Sequence, residues 1–201
     1  MMSPSPEGRS SATTPPEYSP EERAVLLSAA HEAIASLLQG REIPLEAPSN
    51  HLAEPRGAFT TLYSRGELRG CVGFVLPVVS VYRTVIETAR GAAFEDSRFV
   101  PVSREELPGL EISLSILSVP QPVRPEEIVI GRHGLIISQG GHRGLLLPQV
   151  AGEHGWDCNT FLEQTCRKAG LPLDAWKKGA TVEAFTAEVF GDDGLETGAR
   201  V

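Results

Sequence analysis

The chain has 201 residues, of which 41% are hydrophobic and 22% are charged, a composition typical of a globular protein with a sizeable core. Its formal net charge of −8 argues against nucleic acid or an anionic membrane as the main partner, because basic surfaces bind both. Apolar runs are too short for a membrane helix, and the N-terminus does not resemble a secretory signal. We therefore expect a cytoplasmic protein.

The first part of the chain predicts a tail followed by one long helix. Residues 1–17 are rich in Ser, Pro and Thr and offer little to bury, so we expect a disordered tail. Ser19 is a good N-cap, Pro20 suits the first helical turn, and Gly40 suits the end of a helix that runs to about Gln39. Its expected inner face is formed by Leu27, Ala30, Ile34, Leu37 and Leu38.

A strand, strand, helix, strand order is predicted next. Two β-rich runs, 58–63 and 68–74, are separated by a turn over 64–67 and should pair antiparallel. Run 110–118 alternates apolar and polar residues, which predicts a strand of the same sheet with one buried face. Between runs 68–74 and 110–118, Pro77 and Ser80 should open a helix. Its expected apolar face contains Val78, Val81, Tyr82, Val85, Ala89 and Ala92.

Three prolines, at 120, 122 and 125, predict a connector between a larger lobe, about 18–120, and a smaller lobe, about 121–191. Short β-runs follow at 128–130, 134–138 and 144–147, the last two forming a hairpin. Asp157 should cap a helix that runs to Ala169. Run 181–190 has strand composition and should close a sheet, and 192–201 should be a frayed tail.

The predicted fold is therefore α+β and two-lobed, with mainly antiparallel sheets and packed helices. Its three cysteines lack CxxC spacing, which favours free thiols in a reducing compartment. Cys158 and Cys166 lie eight positions apart on one predicted helix, a rise of about 12 Å. That separation is too large for a shared zinc ion or a disulfide, so we expect no metal site.

The stretch Leu68–Gly73, with sequence Leu-Arg-Gly-Cys-Val-Gly, is the leading candidate for a site. A Cys71 thiolate would be a strong nucleophile, and Arg69, two residues away on a strand, could stabilise it from the same face. Gly70 and Gly73 would let other backbone or a ligand approach closely. The alternative is a small cysteine buried in a strand, with the glycines easing its packing.

Two other groups could serve this thiol. His133 is the candidate base, with Gln149 or Asp157 orienting it, although the glycines around it equally favour a turn residue. The cluster Glu95, Asp96 and Arg98 could supply a carboxylate base or an anion clamp. Alternatively, these charges pair with one another within a local loop.

Several sequence blocks resemble one known family, the AMMECR-type domain family. They are Leu68–Gly73, Phe94–Phe99, Arg104–Pro108, Gly131–Leu135, Leu147–Val150, Gly155–Asp157 and Phe161–Cys166. Val72 stands where Ile is usual and Ser97 where Pro is common, and neither change removes a functional group. The resemblance covers nearly the whole chain after the tail and implies a two-lobed α+β domain. It implies no established cofactor and no firmly established activity.

In bacteria this family is known as protein A of the AmmeMemoRadiSam system, so the resemblance implies a bacterial protein associated genetically with Memo-like and radical-SAM proteins. One hypothesis is a small-molecule enzyme or enzyme accessory, with Cys71 as nucleophile or ligand and His133 and Glu95 as further catalytic groups. The second is a non-catalytic binding or adaptor module; nucleic-acid binding is disfavoured. The expected ligand-binding residues are Arg69, Gly70, Gly73, Asp96, Arg98 and Gln149.

Overall fold

A computed structural model describes residues 16–192. Residues 1–15 and 193–201, which make up most of the two predicted tails, lie outside the described residues. The helices are α1 (Pro20–Gln39), α2 (Val81–Phe94), α3 (Pro148–Glu153) and α4 (Cys158–Lys168). The strands are β1 (Ala58–Ser64), β2 (Glu67–Phe74), β3 (Leu110–Leu117), β4 (Gln121–Pro122), β5 (Gly134–Gln139), β6 (His142–Leu146), β7 (Thr181–Phe185) and β8 (Ala187–Gly191). Helices with antiparallel sheets confirm the α+β class.

Helix α1 begins and ends where the sequence predicts. Ser19 and Glu22 form a capping box, and Gly40 ends the helix at φ 68°, a conformation that glycine adopts readily. The predicted inner face is partly wrong, because Leu37 is 48% exposed. The buried residues are Leu26, Ala29, Ala30, Ala33, Ile34 and Ser36, a face rich in small side chains that packs against α2.

Two residues, Pro77 and Ser80, were expected to open helix α2. Ser80 is its N-cap and its side chain accepts a hydrogen bond from Arg83 N–H, whereas Pro77 lies before the helix. The prediction that Val78 belongs to the apolar face of this helix is wrong, because Val78 precedes the helix and is 76% exposed. The helix lies across the first sheet and packs against β1 and β2.

The first sheet has the strand order β2-β1-β3-β8 and is antiparallel throughout. This confirms that β1 and β2 are neighbours and that β3 joins them. The turn between β1 and β2 has Arg65 at φ 54° and Gly66 at φ 78°, the positive values that a tight hairpin needs. One face is covered by α1 and α2 and buries Ala58, Thr60, Leu62, Ile112, Leu114 and Ile116.

The second sheet has the order β4-β7-β5-β6, with α4 packed on β5 and β6. The predicted hairpin of β5 and β6 is confirmed. The prediction of a strand at 128–130 is wrong. These residues lead into a turn in which Val129 O accepts hydrogen bonds from the backbone N–H groups of Arg132 and His133. Helix α4 begins at the predicted N-cap Asp157.

Run 181–190 is two strands that belong to different sheets. Strand β7 lies in the second sheet and β8 in the first, so the prediction of a single strand is wrong. The change occurs at Thr186, whose N–H donates to Ser118 Oγ at 3.0 Å, while Ser118 N–H donates to Thr186 O at 2.9 Å. Ser118 lies where the chain first leaves the first sheet, so both passages between sheets are joined here. The division into lobes stays a prediction. Across residues 16–192, no helix is long and apolar enough to cross a membrane.

Candidate functional site

A cleft of about 820 Å³ lies over the face of the first sheet that α1 and α2 leave uncovered. Because successive side chains of a strand point to opposite faces, its floor is formed by the residues that alternate with the buried ones. They are Phe59, Thr61 and Tyr63 of β1, Leu68 and Cys71 of β2, and Ser113 and Ser115 of β3. Segments 131–132 and 147–150, with Glu153, add further lining, so the cleft draws on both halves of the chain.

A β-bulge in β2 decides which residues of the leading motif face this cleft. Thr61 pairs with Cys71 and Leu62 with Gly70, but Tyr63 pairs with Leu68, so Arg69 is an extra residue without its own partner on β1. Leu68 and Cys71 therefore lie on the cleft face. The bulge removes the two-residue period from which we expected Arg69 to stand beside Cys71.

Arg69 pairs with Glu106 instead. Its Nε and Nη2 donate to the two Glu106 oxygens at 2.7 and 3.2 Å, and its side chain is only 12% exposed. The pKa of the Glu106 carboxyl is lowered, first by the hydrogen bond from Arg69 and then by the N–H of Ser103. Arg69 does not line the cleft. A ligand-binding role for it stays a prediction.

The two glycines of the motif serve opposite faces of the sheet. A Cβ on Gly70 would overlap the carbonyl oxygen of Ala92, so this glycine lets α2 lie directly on β2. A Cβ on Gly73 would overlap the ring of Phe59, so this glycine lets the ring lie across β2 on the cleft side. Both glycines are explained by close packing, and neither needs a ligand.

Cys71 is half-buried and is held by a side chain and by its own backbone. Thr61 Oγ1 donates a hydrogen bond to Cys71 Sγ at 3.3 Å. Cys71 N–H donates to Asp96 Oδ2 at 2.9 Å, and Cys71 O accepts from Arg98 Nη2 at 3.4 Å. Because β2 is an edge strand, these two side chains occupy backbone groups that a further strand would otherwise bind.

The Asp96 carboxylate joins Cys71 to Arg98. It accepts from Arg98 N–H at 3.2 Å, Nε at 3.0 Å and Nη2 at 2.8 Å, and the Asp96 side chain is only 7% exposed. The Arg98 hydrogen bonds, followed by the one from Cys71 N–H, hold the pKa of the Asp96 carboxyl well below its usual range. Asp96 raises the pKa of Arg98 in return, and the charge of a Cys71 thiolate would add to this.

The predicted base, His133, occupies a different position. Its Nδ1 accepts a hydrogen bond from Val129 N–H at 3.2 Å, and burial followed by the charge of Arg132 lowers its pKa. It does not line the cleft, and Asp157, its predicted orienting partner, caps α4 by accepting from Thr160 N–H. Glu95 is exposed at the C-cap of α2. Catalytic roles for His133 and Glu95 stay predictions.

Of the predicted site residues, the structure brings Cys71, Arg98 and Gln149 into the lining of one cleft. Sequence reasoning missed the floor residues Thr61, Tyr63, Ser113 and Ser115. Their signal was present in the polar positions that alternate with the buried ones on β1 and β3. Burial raises the pKa of Tyr63, and the charge of a Cys71 thiolate raises it further.

The opposite edge of the sheet closes the cleft with a separate network. Glu188 of β8 accepts backbone hydrogen bonds from Glu17 at 2.6 Å and Tyr18 at 3.4 Å, and it pairs with Arg23 at 2.9 Å. The start of the described chain is thereby attached to the wall of the cleft. All three cysteines are free, and residues 16–192 contain no group of three or more His, Cys, Asp or Glu arranged for a metal ion.

Comparisons with known proteins agree on one family. A family model described as AMMECR1 matches residues 27–190. A protein of Methanosarcina acetivorans is 41% identical over 177 residues, which cover 83% of this chain and 89% of that protein. One of Methanothermobacter thermautotrophicus is 41% identical over 192 residues, which cover 89% of this chain and all of that protein.

The crystal structure of an uncharacterized protein from Pyrococcus horikoshii is similar, with a TM-score of 0.69 and 39% sequence identity. The match covers 84% of this chain and 90% of that one. These relatives come mostly from archaea, so they do not support the expected bacterial origin. The family match and the relatives above 40% identity show that the chain belongs to the AMMECR1 family.

Proposed function

We propose that this protein is a small-molecule enzyme or enzyme accessory whose site is the cleft over the first sheet, with the Cys71 thiol as its reactive group. The observation that carries the proposal is the place of Cys71 in a cleft of about 820 Å³, a volume that suits a small molecule. Arg98 and Gln149 line the same cleft. We also propose that the protein acts in the cytoplasm.

The surroundings of Cys71 favour reactivity over simple packing. The Thr61 hydroxyl donates to its sulfur, and the Arg98 guanidinium lies next to its carbonyl oxygen. A hydroxyl donor on the sulfur and a cation close by are polar surroundings typical of a reactive cysteine, whereas structural cysteines are buried among apolar groups. Cys166 provides the contrast within this chain, because it is fully buried among apolar residues and burial raises the pKa of its thiol.

Iodoacetamide labelling tests this proposal. The folded protein is treated with the reagent, and peptide mass spectrometry follows Cys71 and Cys166 in the same sample. In the folded protein we expect Cys71, which lines the cleft, to react much faster than the fully buried Cys166, and we expect both to react at similar rates once urea unfolds the chain. The proposed function fails if folding protects Cys71 as strongly as it protects Cys166.

A second candidate function is a binding or adaptor module that uses the same cleft without turnover. It is favoured by the position of His133, whose ring is bonded to Val129 N–H and lies outside the cleft lining. Under this proposal the partners are the Memo-like and radical-SAM proteins that the family resemblance suggests. Co-purification of these proteins with the wild-type chain, and its loss when Thr61→Arg fills the cleft floor, would support an adaptor.

The control for this experiment is Arg124→Ala, which changes a charged residue with a 71% exposed side chain away from the cleft. Absence of co-purification with the wild-type chain would count against the adaptor. Retained co-purification in Thr61→Arg would place the contact elsewhere on the molecule.

A further inference from the structure

One nitrogen of Arg98 is positioned to recognise a ligand. Nε and Nη2 are bonded to the Asp96 carboxylate, and Nη2 also donates to Cys71 O. Within residues 16–192, Nη1 has no hydrogen-bond partner. The side chain is 57% exposed and belongs to the cleft lining, so the two N–H groups of Nη1 are available to a molecule in the cleft.

The pairing with Asp96 does not cancel this positive site. The Asp96 side chain is 7% exposed, and its two oxygens accept four hydrogen bonds, one from Cys71 and three from Arg98. Its negative charge is therefore directed into the protein, whereas the guanidinium is the part of the pair that reaches the cleft. A ligand at Nη1 would meet mainly the positive charge.

A row of short polar side chains leads away from this position across the sheet. Thr61 pairs with Cys71 on one side and with Ser113 on the other, and Ser115 follows two residues later on the same face. Neighbouring strands lie about 5 Å apart, so the row from Cys71 to Ser113 spans about 10 Å. That length matches a small molecule with one end at Arg98 and hydrogen-bonding groups along the floor.

Resting on the proposed function, we infer that the ligand of this cleft carries a compact oxyanion, a carboxylate or phosphate, that binds Arg98 Nη1 beside the Cys71 thiol. The body of the molecule lies over Thr61 and Ser113. Arg98, not Arg69, is the anion-binding residue, because Arg69 donates to Glu106 and does not line the cleft. Asp96 acts as a positioning residue that holds both Arg98 and the Cys71 backbone.

The test compares two alkylating reagents of similar size at Cys71. Iodoacetate carries the oxyanion, whereas iodoacetamide is neutral, so the ratio of their rates reports on positive charge next to the sulfur. Two unit charges about 4 Å apart attract by about 1 kcal/mol in water, so Arg98→Gln should lower the iodoacetate-to-iodoacetamide ratio about fivefold. Arg98→Lys should keep most of the ratio, and the exposed control Arg124→Gln should leave it unchanged.

A measurement on the wild-type chain makes the test independent of how the variants fold. Inorganic phosphate, compared with chloride at equal ionic strength, should slow iodoacetate labelling of Cys71 more than it slows labelling of a free thiol. A ratio that is unchanged by Arg98→Gln, or an absence of phosphate protection, overturns the oxyanion site.

These outcomes separate the inference from the proposed function. If Cys71 reacts rapidly with iodoacetamide but shows no preference that depends on Arg98, the oxyanion site fails and the reactive thiol stands. If folding protects Cys71 from both reagents, the proposed function fails, and the oxyanion site fails with it because the inference rests on that function.

Discussion

The two faces of the first sheet are built from alternate residues of the same strands, yet the helix face is buried and mainly apolar while the cleft face is mixed and more polar. Towards α1 and α2, β1 and β3 present Ala58, Leu62, Ile112 and Leu114, all fully buried. Towards the cleft, they present Phe59, Thr61, Ser113 and Ser115. The difference teaches that neighbouring residues of one strand belong either to the buried core or to the cleft lining, and position along the chain does not separate the two groups.

The leading motif shows the same division within six residues. Gly70 and Val72 face α2, where Val72 meets Gly91, while Leu68 and Cys71 face the cleft. Arg69 belongs to neither set, because the bulge turns it towards Glu106. A sequence motif that is distinctive as a block therefore contains both packing residues and candidate functional residues.

The strongest test of this comparison substitutes two neighbours on β3. Leu114→Ala removes a fully buried side chain from the helix face and should lower the free energy of unfolding by about 4 kcal/mol. Ser113→Ala changes the cleft face and should lower the free energy of unfolding by less than about 0.5 kcal/mol. Urea unfolding measures both. Similar costs for the two variants would mean that the faces do not differ as described.

A second test concerns the contact of α2 with β2. Gly70→Ala should lower the free energy of unfolding by about 3 kcal/mol, because the new Cβ overlaps the Ala92 carbonyl oxygen and α2 must move. Gly109→Ala is the matched control, since no atom lies within 4 Å of its added Cβ. If Gly70→Ala is as well tolerated as this control in urea unfolding, the close approach of α2 is wrong.

The smallest expected effect concerns Asp96 and depends on pH. Asp96→Asn weakens charged hydrogen bonds to Arg98 and Cys71 N–H and should cost about 2 kcal/mol of unfolding free energy at neutral pH. The folded pKa of Asp96 is lowered, so its stabilisation is present above the unfolded pKa of about 3.9 and is lost as pH falls through the folded value.

The stability difference between wild type and Asp96→Asn should therefore narrow as the pH falls below about 4. Urea unfolding of both proteins at neutral pH and at about pH 3 measures this change. A difference that is independent of pH would show that the Asp96 charge does not support the edge of β2.

Sequence reasoning predicted the features that local chemistry determines. The caps Ser19, Gly40, Ser80 and Asp157 stand at the ends of helices, and the alternation in β3 identifies its buried face. Local hydrogen bonding and side-chain period decide these features, and both can be seen in a short stretch of sequence. The antiparallel pairing within an α+β fold follows from the same local signals, whereas the family was identified by its resemblance in sequence blocks along the chain.

The features that were missed depend on contacts between distant parts of the chain. The bulge at Arg69 exists only in the pairing of β2 with β1, so a strict two-residue period led us to expect Arg69 beside Cys71, whereas it pairs with Glu106. The break at Thr186 depends on Ser118, which lies 68 positions earlier. The cleft itself joins residues from β1 to β8, and no single stretch of sequence contains enough of it to indicate a site.

The return of β8 to the first sheet sets an order of assembly. This sheet needs a strand that ends at Gly191, although its other three strands are complete by Leu117. During synthesis, the whole second sheet therefore emerges from the ribosome before the edge of β3 can be covered. Non-local pairing of this kind is slow to form. Until then the open edge of β3 is exposed to other chains, so we expect the period just before β8 emerges to be the most prone to aggregation.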